Sequence, residues 1–421
     1  MLKLRSGTRG AKEIIETNRL KEDLNLNKPP NLEVAIIGAG ISGLCSALLL
    51  KQLGLNVTVF EKEKSIKSEG AGIQITSNGL FVLKKLGLDG QVVKVGLKPK
   101  NLCLFDEDQL KSIVSLEILE RLKHRYGGSF ITLQRSLLVR ILFEKVKEKK
   151  IQVHFGSTAF PLVKKDSEDV HISYKGKKIE KDLIVIADGV GSIWKKTIFR
   201  EIKTRSISQT AYRFLLSNKN LPAIFTKNNI NLFLGKGRHF VTYPIGNKGM
   251  INFVFCKRES GQIINHWKEK VTKQQFLNDF ELDKALTTSL PDVEKIYRWP
   301  VVESGIPLTL HKKNVVMVGD AAHGMLPYMA QGANKALEDS LELANCIERF
   351  ALNPKKGLNS YSKKRIKRIY KLDRVSRYNE KAYHLEQKGL RRMFFLLLRC
   401  ITSLFPNFFF KRLDWIYNYK G

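Results

Sequence analysis

Three stretches of this chain carry residue types at spacings that could do chemistry. The first is Gly38-Ala-Gly40-Ile41-Ser42-Gly43, a G-x-G-x-x-G pattern set between the apolar run Glu33-Val-Ala-Ile-Ile37 and the longer apolar stretch Leu44 to Leu53. In that setting Gly38 permits a tight turn, Gly40 lets the backbone approach a pyrophosphate, and Gly43 lets helix and strand pack closely. The start of the helix offers free N–H groups and the positive end of its dipole to phosphates. Glu61 lies 21 residues beyond Gly40, at the end of Asn56-Val-Thr-Val-Phe60. There its carboxylate can accept a hydrogen bond from a ribose hydroxyl. A dinucleotide with an unphosphorylated adenosine ribose fits, which leaves NAD and FAD both open.

The second stretch, residues 315–340, reads VVMVGDAAHGMLPYMAQGANKALEDS. An apolar run stops at Gly319-Asp320, Pro327 follows seven residues later, and a helical pattern opens only near Gly332. The third is Gly237-Arg238-His239-Phe-Val-Thr-Tyr243. A histidine and a tyrosine four apart on a strand face the same way. A sheet histidine beside a packing tyrosine would show the same spacing. No second glycine cradle exists, because Gly235-Lys-Gly237 lacks the third glycine at position 240. One dinucleotide therefore has a built site, and any other visits without a domain of its own.

The elements that must hold these residues follow from periodicity. Residues 33–61 form a strand-turn-helix-turn-strand unit, with Gly54 ending its helix. Residues 76–96 and 133–147 read as helical, Ile151–Phe155 as a strand, and Asp182–Ala187 as an apolar strand ending at Asp188-Gly189. From about 205 to 300 short alternating segments separated by glycines indicate an antiparallel sheet. Asn314–Val318 returns to the apolar texture, and from Lys335 the chain reads as helical nearly to its end.

A length of 421 residues suits two or three packed subdomains. The 73 Lys and Arg against 40 Asp and Glu leave a net charge of +33, which favours anionic partners unless it only reflects a lysine-rich composition. Tyr361-Ser-Lys-Lys-Arg365-Ile-Lys-Arg368 is the densest basic patch. Without an aromatic stacking platform it reads as a solvated basic helix, and no nucleic acid is expected. Five scattered cysteines read as free thiols, no metal site is expected, and a reducing cytoplasm fits. No run spans a membrane. The apolar Met393–Leu398 segment is expected to pack on the protein, with peripheral membrane contact as the alternative.

GAGISG, DLIVIADGVGSIWKK and VGDAAHGMLPYMAQGANKALEDS together resemble the single-component FAD-dependent aromatic hydroxylases. The PYMAQGANKALED spelling and Arg412–Tyr417 are most similar to salicylate hydroxylase and 3-hydroxybenzoate 6-hydroxylase relatives. The resemblance implies an α/β fold: a Rossmann-like FAD-binding domain, an inserted antiparallel substrate domain and a helical C-terminal region. The corresponding division is an N-terminal arm (1–30), the FAD-binding domain with partial insertions (31–204), the substrate sheet (205–300), the flavin-ring segment (301–350) and the helical region (351–421).

It also implies site roles. Asp320 would bond the ribityl chain, Pro327 would sit beside the reactive edge of the flavin, and Gly332 and Ala333 would offer N–H groups to the pyrimidine oxygen. Arg135 and Asp188 would contact FAD, and Ile41, Ser42, Lys62, Gly72, Gly319 and Asn334 complete the expected cofactor set. The family pattern D-G-x-x-S-x-x-R ends here in Lys195, which keeps the charge but loses the planar fork. His239 is the expected phenol base and Tyr243 the substrate-orienting group. Arg213 and Arg238 are candidates for a substrate carboxylate, and His323 for a structural hydrogen bond. The implied reaction takes NADH or NADPH and O2 through a flavin hydroperoxide to hydroxylate a small anionic aromatic, in the manner of salicylate 1-hydroxylase. The alternatives are a hydroxylase or epoxidase of a larger ring, and a basic nucleic-acid or membrane-binding protein without catalysis.

Overall fold

The computed structural model describes residues 32–67, 70–164, 169–219, 221–246, 249–259, 268–280 and 295–421, with 290 and 293. The expected N-terminal arm lies outside the described residues. The first strand, Glu33–Ile37, is buried at four of its five positions and pairs in parallel with Asn56–Phe60 on one side and Leu183–Ile186 on the other. Val315–Met317 adds a further parallel strand next to Leu183–Ile186. These runs are apolar throughout because both faces are covered, as parallel sheets require. All four strands point their C-terminal ends to the same edge, so Gly38, Asp188, Gly319 and Asp320 gather there.

The helix after the first turn, Ile41–Gln52, is buried along almost its whole length against the helix Gly332–Arg349. Gly54, with φ +85°, ends the first helix as expected. The 76–96 segment forms two helices, Ser77–Lys85 and Asp89–Val95, broken at Leu86–Leu88. Residues 131–134 are a strand, so the helix expected from 133 begins at Arg135.

The second layer is an eight-stranded sheet built mainly from Thr204–Ser217, Asn229–Leu234, Arg238–Ile245, Met250–Arg258 and Ile296–Ser304, joined by Asn101–Asp106 and Lys111–Glu117 from the first part of the chain. One face carries phenylalanines in register: Phe105, Phe233, Phe240 and Phe255 stand opposite one another across four strands. Their rings stack at 4.8, 4.2 and 4.6 Å between centroids. Each such pair adds about 0.5–1.5 kcal/mol beyond burial. That filled face leaves the opposite one, bearing His239 and Tyr243, to look toward the parallel-sheet domain.

The C-terminal helices Pro354–Tyr383, Lys388–Leu404, Pro406–Lys411 and Asp414–Tyr417 wrap back onto both domains. Two expectations change here. The basic helix is not simply solvated: Arg365 is fully buried and Arg368 nearly so, because both neutralise acids of the Gly332–Arg349 helix. The Lys388–Leu404 helix packs Phe395 and Thr402 inward but leaves Met393, Leu396 and Leu397 exposed. Its apolar content exceeds what one packed face can cover.

Candidate functional site

The glycine turn behaves as its spacing requires. Gly38 adopts φ +106°, and a Cβ there would stand 2.6 Å from the Ala187 carbonyl oxygen. A Cβ on Gly43 would collide with the Gly38 carbonyl oxygen, so helix and turn touch backbone to backbone. Gly40 differs: the nearest atom to a Cβ there is a guanidinium nitrogen of Arg135, 3.8 Å away. The chain itself does not crowd this position.

Around Gly40 lies a cavity of about 330 Å³, lined among others by Gly38, Glu61, Lys62, Arg135, Asp188 and Gly189. Glu61 accepts from the Ala39 N–H at 2.7 Å and from the Glu63 N–H at 3.0 Å, which fixes its carboxylate at the cavity wall. Arg135 opens the helix Arg135–Glu148, is exposed, and has no ion pair among the described residues. Asp188 carries a buried Oδ1 with no hydrogen-bond partner, and burial pushes its carboxyl up to about 6. An orphaned buried oxygen beside free helix N–H groups and an unpaired arginine is a donor and acceptor set suited to a dinucleotide. These residues therefore fit FAD.

The second expected group sits at the same sheet edge. Asp320 is exposed in the turn Gly319–Ala321, with no hydrogen bond among the described residues. Gly319 has φ +62°, and a Cβ there would reach 2.6 Å from Ser42 Oγ, so the early helix and the late turn are in direct contact. Ser42 and Ile41 are buried in that helix. Gly332 and Ala333 open the helix Gly332–Arg349, whose first N–H groups have no intrahelical acceptor. Just before them Ala330 is held at φ +51°, a left-handed conformation that an alanine adopts only under restraint.

Two expected cofactor residues have their polar groups committed elsewhere. Asn334 is fully buried; its Oδ1 accepts from the Thr76 N–H at 2.9 Å, and its amide donates to Gln74 O and Ala330 O. Its side chain thus braces the helix start rather than facing a ligand. The Gly72 N–H donates to Asn252 Oδ1 at 2.7 Å, and a Cβ at 72 would strike Asn252 and Tyr243. Gly72 lets the two domains approach.

Behind the Asp320 turn lies a buried charge network. Asp339 Oδ2 accepts from the Gly319 N–H at 2.8 Å and meets His323 Nε2 at 2.5 Å, while Oδ1 accepts from Arg365 Nε at 2.6 Å. Burial alone would raise this carboxyl, but His323 and Arg365 outweigh it and hold it below the usual range. Glu338 binds Arg365, Arg368 and Asn78. His323 therefore orders the loop, as expected of it. Lys195 is fully buried, donating to Val190 O and Ser304 Oγ at 3.0 Å each, so it ties the Asp188 turn to the eight-stranded sheet.

On that sheet His239 and Tyr243 share one face, and His239 lies 5.2 Å, ring to ring, from Tyr328, the neighbour of Pro327. Its Nδ1 is 2.8 Å from Nε2 of His384. Burial, reinforced by His384, holds the His239 imidazole well below its usual range, so it is neutral. Arg213 lies on the same face, half-buried against Trp299 at 5.8 Å and without an ion pair among the described residues; its field reaches Tyr243 and Cys256. Arg238 points to the opposite, phenylalanine-filled face, bonded to the buried Glu107 at 2.9 Å. That pairing removes it from the substrate-facing group. His384, Asn252 and Gln209, which bonds Tyr328, escaped sequence reasoning because nothing local marks them.

Known proteins resemble this chain in sequence and in fold. A family described as "FAD binding domain" matches residues 31–376. A 3-amino-4-hydroxybenzoate 2-monooxygenase of Streptomyces cremeus is 27% identical, covering 84% of this chain and 88% of its own. A 3-hydroxybenzoate 6-hydroxylase of Aquipseudomonas alcaligenes is also 27% identical, over 91% and 97%. A salicylate hydroxylase solved with its substrate shares the fold at a TM-score of 0.73 and 21% identity, over 92% of this chain and 95% of that one. With its glycine cradle, orphaned Asp188 oxygen and late aspartate turn at one sheet edge, the chain belongs to the FAD binding domain family and is an FAD-dependent monooxygenase of the aromatic hydroxylase type.

Proposed function

We propose that the protein hydroxylates a small phenolic acid, using NADH or NADPH and O2, with salicylate as the leading specific substrate. The observation that carries this reading is the common face of Arg213, His239 and Tyr243, beside the Pro327-Tyr328 loop. FAD, when bound, supplies the redox and oxygen chemistry. The chain supplies the rest.

Arg213, half-buried and without an ion pair among the described residues, binds the substrate carboxylate, and its partial burial strengthens that contact over one in water. With Nδ1 of His239 engaged by His384, Nε2 remains to accept the phenol proton, which makes the ring more electron-rich. Because the imidazole is neutral, it is in the accepting form at neutral pH. His384 Nδ1 lies 3.8 Å from Glu380, beyond hydrogen-bond reach, and Glu380 pairs with the part-exposed Arg258 at 2.9 Å, so a carboxylate stands near the histidine pair to favour its uptake of a proton. The Tyr243 hydroxyl orients the ring, and burial keeps it protonated.

The names of the relatives, which act on hydroxybenzoates, support a carboxylated phenol over a larger ring. Following nicotinamide oxidation over a panel of hydroxybenzoates, with products identified, tests the reading. Catechol from salicylate would support the specific case. Peroxide formation without any hydroxylated product across the panel would refute it.

A further inference from the structure

The Lys388–Leu404 helix presents a second apolar stripe that nothing in the chain's described residues covers. Leu390, Met393, Leu397 and Leu404 fall on one line at helical spacing, with Leu396 beside them; Leu396 is 62% and Leu404 69% exposed. Phe405 and Phe408 extend the stripe past the helix end. From Leu390 to Leu404 the stripe is about 21 Å long. Scattered exposed leucines need no explanation, but a continuous row does.

The charge around it is one-sided. Between Lys388 and Leu413 the sequence contains no Asp or Glu. Lys388, Arg392 and Arg399, spaced to fall in one row, run exposed between Leu396 and the buried face of the helix, and Lys411 and Arg412 are exposed beyond it. Arg391, by contrast, turns inward to Asp108. Outward apolar side chains edged by cations, on a chain of net charge +33, match an anionic lipid surface: the side chains enter the acyl boundary and the cations meet the headgroups. A second copy of this chain fits poorly. A two-fold contact would bring together two stripes whose cation rows have no acids to answer them, on two strongly basic bodies.

We propose that this face is a peripheral membrane anchor for anionic phospholipid, a property independent of which aromatic the enzyme hydroxylates. The test is flotation of the full-length, flavin-loaded protein with vesicles containing about one third phosphatidylserine, against vesicles of phosphatidylcholine alone. Binding to the first, weakened by about 0.5 M salt, is expected. Leu397→Glu should reduce it at least about tenfold, since a leucine that would enter the acyl boundary is replaced by an anion. Arg392→Gln with Arg399→Gln, which leaves the stripe intact, should reduce it about fivefold per cation. Both variants should keep their flavin. Equal recovery from both vesicle types, no binding to either, or a dimer in solution that Leu397→Glu dissociates would each overturn the proposal.

Discussion

His239 and His384, 145 residues apart in the chain, face each other with Nδ1 and Nε2 2.8 Å apart in a buried setting. The strand supplies one imidazole and the end of the long C-terminal helix supplies the other. The eight-stranded sheet is thereby joined to the helical region at the very residue proposed as base.

His239→Phe is expected to keep FAD bound and slow hydroxylation by at least about 100-fold, the usual range for losing a general base. His384→Phe should lower kcat less and move the pH profile, with KM little changed. Stopped-flow turnover across pH checks both; unchanged turnover in His239→Phe would clear that residue of the role.

The same histidines bear on stability. Burial lowers His239, His384 and His323 from the ordinary 6.5. As pH falls below 6.5 the unfolded chain takes up protons that the folded one refuses, so their stabilisation, present above 6.5, is lost toward acid. Asp188 and Glu107, raised by burial to about 6 and about 7, act in the opposite sense. The decisive measurement is therefore a difference: denaturant unfolding at pH 7 and pH 5 should show a shallower acid loss for His384→Phe than for the unsubstituted chain.

Gly40→Ala and Gly43→Ala should part company. Alanine at 43 drives a methyl group into the Gly38 carbonyl and should destabilise the fold by several kcal/mol, at roughly the upper end of single substitutions. Alanine at 40 meets only the Arg135 guanidinium, at an ordinary contact distance of 3.8 Å, so the melting temperature without cofactor should hold while FAD affinity falls. Equal melting losses would contradict the assignment of the cavity to the cofactor.

Asp320→Ala should weaken FAD by about 10- to 150-fold, the loss of one hydrogen bond to a charged acceptor at about 1.5–3 kcal/mol. Flavin content of the purified variant reports it directly. Full occupancy would place the ribityl chain elsewhere.

Arg365→Met leaves Glu338 and Asp339 short of a partner in a dry interior. A cost of about 3–5 kcal/mol is expected, read by denaturant unfolding. A neutral result would mean that His323 and Arg368 suffice to hold both acids.

The parallel domain and its cofactor end were legible because each rests on a local pattern: an apolar run, a glycine spacing, an acid at a strand end. The face shared by His239 and Tyr243 was legible from a spacing of four on a strand. The partners that settle roles were not. Asn334 reads like a cofactor residue until Thr76 and Gln74, some 260 positions away, claim its amide. Arg238 looks as free as Arg213 until the sheet turns it toward Glu107. Arg365 and Arg368 sit in a lysine-rich run that hides the acids they answer. In each case the missing information is a contact between distant segments, which periodicity does not encode.

Trp415 and Ile416 carbonyls hold Arg368, the Tyr417 carbonyl accepts from Ser77 Oγ at 2.7 Å, and the Tyr419 hydroxyl donates to Glu342 at 2.6 Å. Residues 415–419 thus latch the helix begun at Gly332, directly at Glu342 and indirectly through Arg368, which binds Glu338. During synthesis the glycine cradle emerges early, but its opposite wall stays unsecured until residues 415–419 have been made. A stop codon at 414 is expected to yield a protease-sensitive chain that loses its flavin on dilution; a nascent chain already resistant before that point would show that the latch is dispensable.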